Sequence, residues 1–455
     1  MMRLTEAAQV LQITPRGDDV TFSSVSIDTR TLQHGALYIA LRGQRYDGHD
    51  FVQHAMENGA SAVMVDSTFL AAHADLAREM PLLEVADTRL GLGQLAAAWR
   101  NRFDIPLAAV TGSNGKTTVK EMLAAILAVA AGDADAVLAT QGNLNNDIGL
   151  PLMLLRLRAS HRFAVIEMGM NHLGEIDYLT RLASPTVALI NNAQSAHIGE
   201  LGSVENIARA KGEIFAGLRA DGIAVINADD TFAAYWRELN TERVVMDFGL
   251  APPAQVTGRY ELLPASVRLE IQCPQQSIPV HLQVPGLHNV RNALAAATAA
   301  LAMQVAPQAI AQGLNAFQGV HGRLQAKAAL HGATLIDDTY NANPGSVHAA
   351  IDVLAQAPGE KILVLGDMGE LGADALQLHA EVGHYAREKG IDSLFCLGDL
   401  SLHCAQAFGE GAGHYARIQE LLADLGNRLS PTVTVLVKGS RFMQMERVVR
   451  SVENA

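Results

Sequence analysis

Short apolar runs recur along this chain, and the segments between them carry apolar residues at helical spacing. In the middle of the chain the runs lie at residues 107–110, 163–166, 187–190 and 223–226. Each is continuous, which predicts strands buried on both faces of a parallel sheet with helices between them. The stretch from about 244 to 284 reads as β-rich, and 289–304 as an alanine-rich helix suited to close packing. From about 316 the alternation restarts, with strands at 334–336, 362–365, 394–397 and 433–437 and helices near 345–355, 376–389, 415–428 and 441–452. That predicts a second doubly wound unit with its own core, and it holds no Gly-x-Gly-x-x-Gly fingerprint that would assign it a dinucleotide. Ahead of both, residues 1–85 read as a small mixed domain with strands at 36–41 and 60–65.

Composition narrows the possibilities. Hydrophobic residues make up 49% of the 455 positions, enough for several buried cores. The net charge of −13 argues against non-specific binding to nucleic acid or to an anionic membrane, so a polyanionic ligand must be met by a local cluster of donors. Cys273, Cys396 and Cys404 have neither zinc-site nor CxxC spacing, which fits a reduced, cytoplasmic setting. The first residues lack the apolar core of a signal peptide, and no apolar run is long enough to span a membrane.

The chemistry concentrates where the apolar run 107–110 ends in Thr111-Gly-Ser-Asn-Gly-Lys-Thr-Thr118 and an apolar-periodic segment follows. Strand, glycine-rich turn and helix form a phosphate cradle. Backbone N–H groups from Gly112 through Thr118 and the helix N-terminus face the anion, Lys116 reaches the terminal phosphates, and the Thr117 hydroxyl can hold Mg²⁺. The first glycine stands three residues before Gly115, not five as in the common motif. Run 163–166 ends in Glu167, a carboxylate at a strand end where an α/β sheet places ligands and where Mg²⁺ finds an oxygen donor. His197 follows the next strand; a metal or phosphate role and a structural one both fit. Lys211 reads on composition alone as a surface helix lysine. Asn143, Asn145 and Asn146 form a polar loop that suits sugars and phosphates, or simply turns. Arg323 opens the last domain, where it can act as a charge clamp, and Asp338, Asn341 and Asn343 follow the first strand there. In the first domain, Asp28-Thr29-Arg30 and Asp47-Gly48-His49 are compatible with an anion pocket or with solvated turns. The fold class is thus α/β in three domains: a small mixed α/β N-terminal domain (1–85), a central P-loop parallel-sheet ATPase domain (86–315) and a C-terminal Rossmann-like doubly wound domain (316–455).

Together these stretches resemble the Mur ligases. The phosphate loop is matched by Glu167-Met-Gly169, Ala196-His-Ile-Gly199, Ala210-Lys-Gly-Glu-Ile214 and Gly286-Leu-His-Asn-Val-Arg-Asn292. In the last domain Gly322-Arg-Leu324 matches as well, and Asp337-Asp-Thr-Tyr-Asn-Ala-Asn-Pro344, Gly366-Asp-Met-Gly-Glu-Leu-Gly372 and Lys438-Gly-Ser-Arg441 look specific to the branch that adds D-alanyl-D-alanine. Met170 stands where alanine was expected. The loop alone would also fit folylpolyglutamate synthases, which resemble only the central and last domains. The resemblance implies ATP and Mg²⁺ as cofactors and UDP-MurNAc-tripeptide and D-Ala-D-Ala as substrates, in a cytoplasmic monomer. It implies that Thr29, Arg30, Asp47, Gly48 and His49 serve the UDP part and that Asn143, Asn146 and Asn343 contact substrate. Asn289 and Asn292 would lie near adenine, and Arg323, Asp338 and Asn341 would reach ATP from the last domain. Lys116, Glu167, His197, Lys211 and Arg323 would be catalytic. Thr117, Glu167, His197 and Lys211 would hold metal, Lys211 as a carbamate.

Overall fold

The computed structural model describes residues 1–73, 75, 80–194, 198–274 and 276–453. The central sheet has six parallel strands in the order Val244–Phe248, Ile223–Asn227, Val187–Ile190, Leu107–Thr111, Phe163–Glu167, Val137–Ala139. Side chains alternate across a strand, and both faces here are buried. Leu107 and Ala109 enter one apolar core, whereas Ala108 and Val110 enter the other. This is why the run carries no polar gap. The β-rich stretch divides: its first strand edges the parallel sheet, while Thr257–Leu262, Val267–Cys273 and Gln276–Leu282 form a separate antiparallel sheet.

The apolar-periodic segment after the phosphate loop forms helix Lys116–Ala131, and the alanine-rich helix spans Leu287–Ala302. Small residues permit the close packing. At Gly313, in helix Pro307–Ala316, an added Cβ would lie 2.4 Å from the Cα of Ile126, so that helix meets the phosphate-loop helix backbone to backbone.

The last unit has its own six-stranded sheet, in the order Gln325–Ala328, Thr334–Asp338, Val433–Lys438, Glu360–Gly366, Ser393–Leu397, Ala412–Tyr415. Its first strand is antiparallel and the rest are parallel. Alternation recurs: Leu363 and Leu365 face one core, Ile362 and Val364 the other. The edge strands Gln325–Ala328 and Ala412–Tyr415 escaped the apolar pattern because an edge strand covered on few sides needs few apolar residues. The first unit is a parallel sheet of Ser24–Ser26, Ala36–Ile39, Ala62–Asp66 and Leu82–Val85. Leu37 and Ile39 of this sheet share one apolar core with Leu107 and Ala109 of the central sheet. The two cores of the last unit, by contrast, contain only residues from 324 onward.

Several strands run past their apolar stretch into a polar residue that still pairs. Val110 registers with Glu167, Ile190 with Thr111, and Asp338 with Lys438. The ladder binds backbone groups and is indifferent to the side chain, so these polar groups are fixed at the carboxyl edge of each sheet.

Trp236 anchors the helix that carries Lys211. It is fully buried, and its Nε1 donates to the carbonyl of Ala208 at 3.0 Å, within helix Val204–Gly212. Trp236→Ala is expected to cost about 3–5 kcal/mol of stability in urea unfolding. A loss below about 1 kcal/mol would show that this contact does not hold the helix.

Candidate active site

The carboxyl edges of the central and last sheets face one another across a cavity of about 1010 Å³. From the central sheet it is lined by Ser113 to Thr118, Asn143, Asn145, Glu167, Asn191 and Asn192. Asn289 and Asn292 line it from the alanine-rich helix, and Arg323, Asp338, Asn341, Asn343, Glu370 and Lys438 from the last unit. Residues far apart in sequence thus converge, and most of the expected nucleotide-site residues are among them.

The phosphate loop closes on Gly115, whose φ of +79° suits glycine. A Cβ there would stand 2.3 Å from Asn292 Oδ1 and 2.6 Å from Asn191 Nδ2. Asn191 Nδ2 donates to the carbonyl of Asn114 at 2.8 Å and to Asn292 Oδ1 at 3.1 Å, and Asn292 Nδ2 donates to Asn289 Oδ1 at 3.3 Å. Asn289 and Asn292 are therefore part of an amide ladder that braces the loop. No side chain caps the helix that starts at Lys116, so its first N–H groups point at the cavity without a protein acceptor from a cap.

Lys116 Nζ donates to the carbonyl of Gly112 at 2.7 Å. Burial pushes its ammonium below the ordinary value, with Glu167 pulling the other way and Arg323 adding to the depression. Glu167 is 3% exposed; its Oε1 accepts from Asn145 Nδ2 at 2.7 Å, while Oε2 is buried without a partner among the described residues. Arg323 crosses from the last unit. Its Nη2 donates to Thr117 Oγ1 at 2.9 Å, its guanidinium lies 4.3 Å from the Tyr340 ring centroid, and its buried Nε has no acceptor among the described residues. Asp338 Oδ2 accepts from Lys438 Nζ at 2.6 Å, and the same ammonium donates to the carbonyl of Asn341 at 2.8 Å. Burial pushes the Asp338 carboxyl up and the Lys438 ammonium pulls it down. Asn343 caps helix Pro344–Ala355 and its Nδ2 donates to Asn114 Oδ1 at 2.8 Å, a direct tie between the last unit and the phosphate loop.

Lys211 does not line the cavity. The composition reading of it as a surface lysine is corrected: it is 2% exposed. Burial first, then the nearby Lys116 charge, push its ammonium well below the ordinary value and favour the neutral amine. His197 lies outside the described residues. Asn146 is turned to the chain itself, its Oδ1 accepting from the N–H of Gly149 at 2.8 Å at the start of helix Gly149–Leu154.

The N-terminal residues are not in this cavity. They gather at the carboxyl edge of their own parallel sheet. Arg30 is exposed and forks onto Asp28. Asp47 caps the turn Gly48–Phe51, and its Oδ1 lies 2.6 Å from His49 Nδ1. His49 is buried, and its Nε2 accepts from the N–H of Asp66 at 3.1 Å, so both ring nitrogens are engaged by the protein. Thr29 and Gly48 sit in the same two loops.

Two residues touching the site stood in stretches named from sequence but were given no role there. Asn145 orients Glu167, and only its place in a polar loop hinted at it. Lys438 ends the apolar run 433–437 in a charge, the same signal that pointed to Glu167.

Known proteins align with this geometry. A family model described as Mur ligase family, catalytic domain, matches residues 21–100; the Mur ligase middle domain matches 110–300; and the Mur ligase glutamate ligase domain matches 322–441. The UDP-N-acetylmuramoyl-tripeptide–D-alanyl-D-alanine ligase of Escherichia coli (strain K12) is 40% identical over 99% of this chain and 98% of its own. A crystal structure of MurF from Acinetobacter baumannii superposes with a TM-score of 0.90 at 36% identity, covering 99% and 98%. The MurF ligase of Thermotoga maritima in complex with ADP gives 0.80 at 26% identity, covering 94% and 96%. The chain therefore belongs to the Mur ligase family.

Proposed function

We propose that this chain is an ATP-dependent, ADP-forming ligase that joins D-alanyl-D-alanine to UDP-N-acetylmuramoyl-tripeptide for peptidoglycan synthesis. The observation that carries the reading is the meeting of the phosphate loop with Arg323 of the last unit, through Thr117, in one cavity. The identity with D-alanyl-D-alanine ligases over nearly the whole chain supports the choice of substrates. The reading places the enzyme in the cytoplasm as a monomer. Residues 1–85 take the sugar nucleotide, 86–315 take ATP, and 316–455 bring the clamp and the dipeptide. Among the described residues no helix is long and apolar enough to cross a membrane.

A carboxylate is a poor electrophile. The γ-phosphoryl of ATP is transferred to the terminal carboxylate of the tripeptide, giving an acyl phosphate, which the amine of D-Ala-D-Ala attacks with release of phosphate. The charge that spreads over the transferring oxygens needs fixed donors. Lys116 and the first N–H groups of helix Lys116–Ala131 supply them from one side. Arg323 supplies them from the other, its unpartnered Nε being a donor in want of an acceptor. The Asn114–Asn343 tie and Arg323 join the two units around the reactive centre, which shields an intermediate that water would hydrolyse.

Mg²⁺ fits the donor set. Thr117 offers a hydroxyl, and Glu167 offers Oε2, a buried carboxylate oxygen that the protein leaves unpaired. Bound there, Mg²⁺ would neutralise phosphate charge. Lys211 as a carbamate and His197 are the proposed further ligands. Thr29, Arg30 and the Asp47–His49 turn are assigned to the sugar nucleotide, with His49 holding the turn's shape. Asn143, Asn146 and Asn343 are assigned to the substrate side.

Lys116→Ala should abolish ADP release in the presence of both substrates with an unchanged circular dichroism spectrum. Near wild-type turnover would remove the phosphate-loop assignment.

Arg323→Ala should lower turnover by about 10²-fold or more while leaving the affinity for the UDP substrate close to wild type. Matching losses in both would mean that Arg323 contacts the sugar nucleotide.

Lys211→Ala should be nearly inactive, and a short-chain carboxylate in the buffer should partly restore it by filling the vacated space. A fully active variant would overturn the carbamate assignment.

A further inference from the structure

Helix Pro344–Ala355 starts at the phosphate loop and runs along the cavity wall. Its cap Asn343 is hydrogen-bonded to Asn114, and a Cβ on Gly345 would lie 3.5 Å from Asn114 Nδ2. Gly345, His348, Ala349 and Asp352 all line the cavity. Spacings of three, four and seven residues put them on one helical face. At about 1.5 Å of rise per residue, the stripe carries the wall about 10 Å from the loop at Gly345 to Asp352.

Its far end meets apolar surface. Gly286 abuts Val353, Gly319 abuts Val284, and Val284, Phe317 and Val320 line the cavity there with Asn289. The cavity is lined elsewhere by the polar and charged residues Asn143, Glu370 and Arg441. A nucleotide whose phosphates occupy the loop finds its flat apolar slot at the His348–Asp352 end.

The polar groups in that slot are unusual. His348 Nε2 is buried with no hydrogen-bond partner among the described residues, and its ring lies against that of Tyr385, centroids 4.2 Å apart. Burial pushes the imidazole below its ordinary value, with Asp352 opposing, which favours the neutral ring. Asp352 is held through Oδ1, which accepts from the Tyr385 hydroxyl at 2.8 Å and pairs with Lys389 Nζ at 2.7 Å. Oδ2 remains as an acceptor on a half-exposed side chain. An unpaired buried ring nitrogen is costly unless something in the cavity pairs with it.

We propose that His348 and Asp352 read the edge of the nucleobase, Asp352 Oδ2 accepting from the six-position amine of a 6-aminopurine and His348 Nε2–H donating to the adjacent ring nitrogen. Adenine presents this donor-and-acceptor pair side by side, and residues four apart on one helix face can meet both. The inference rests on the nucleotide reading of the cavity given above. Tyr385 and Lys389 act as positioning residues that hold the carboxylate.

The test is calorimetric titration of the full chain with ATP and with purine riboside triphosphate, which lacks the six-position amine. The intact protein should bind ATP about fivefold more tightly than the analogue, the size of one hydrogen bond. Asp352→Ala should bind the two alike. His348→Ala should lose about fivefold in ATP affinity, and His348→Gln, which keeps an N–H donor, should recover most of it. A merely structural role would weaken both nucleotides equally in Asp352→Ala and leave the wild-type ratio intact; that result overturns the proposal, as does His348→Ala with unaltered ATP affinity. If the intact protein binds neither nucleotide, the ligase reading itself fails. If it binds ATP and Lys116→Ala weakens that binding while the base ratio is flat in the wild type, only the base assignment falls.

Discussion

A parallel sheet covered by helices on both faces can present polar side chains only beyond its strand ends. That constraint governs this molecule. Leu107 to Val110 are consumed by two cores, one on each face, and Thr111 is buried with its hydroxyl donating to the carbonyl of Met168, so the first residues free to do chemistry are those of the loop after it. Glu167, Asp338 and Lys438 hold the equivalent place on their strands, fixed there because the ladder continues through them. Two such edges facing each other enclose the cavity.

The same geometry sets the electrostatics. The chain is acidic as a whole, yet Lys116, Arg323 and Lys438 converge in one cleft. Burial makes each charge expensive, and the protein only partly offsets that cost. Lys438 has Asp338, but Arg323 Nε and Glu167 Oε2 have no partner among the described residues. A donor and an acceptor, both buried and both unpaired at one site, support the proposed assignments, an anion for the first and a hard cation for the second. Lys211, buried near Lys116, follows the same logic, since the neutral amine is the form that such surroundings favour.

Packing divides the molecule unequally. The first and central sheets share an apolar core, whereas the cores of the last unit are its own. Contacts in the cavity between the last unit and the loop are polar, through Asn343 and Asn114 and through Arg323 and Thr117. Hydrogen bonds of this kind can be exchanged for contacts with a ligand at little net cost, whereas a continuous apolar core cannot be opened so readily. An enzyme that must admit three substrates and then exclude water is suited by such a joint.

Much of this was legible in the sequence. Continuous apolar runs announced parallel strands buried on both faces, because that environment tolerates no polar gap. The glycine spacing and the lysine announced the phosphate cradle, because backbone conformation there depends on glycine itself. A charge closing an apolar run marked Glu167, and the same mark stood at Lys438. Edge strands such as Ala412–Tyr415 gave no such signal, since burial on fewer sides imposes no pattern. Other facts exist only in three dimensions. That Lys211 is buried, that Asn145 orients Glu167, that Asn292 braces Gly115, and that Arg323 reaches Thr117 across 206 positions are results of how separate elements pack. Local pattern records the surroundings that a residue's own strand or helix imposes. Which distant side chain completes those surroundings is decided by the sheets that meet at the cavity, and no window along the chain contains both partners.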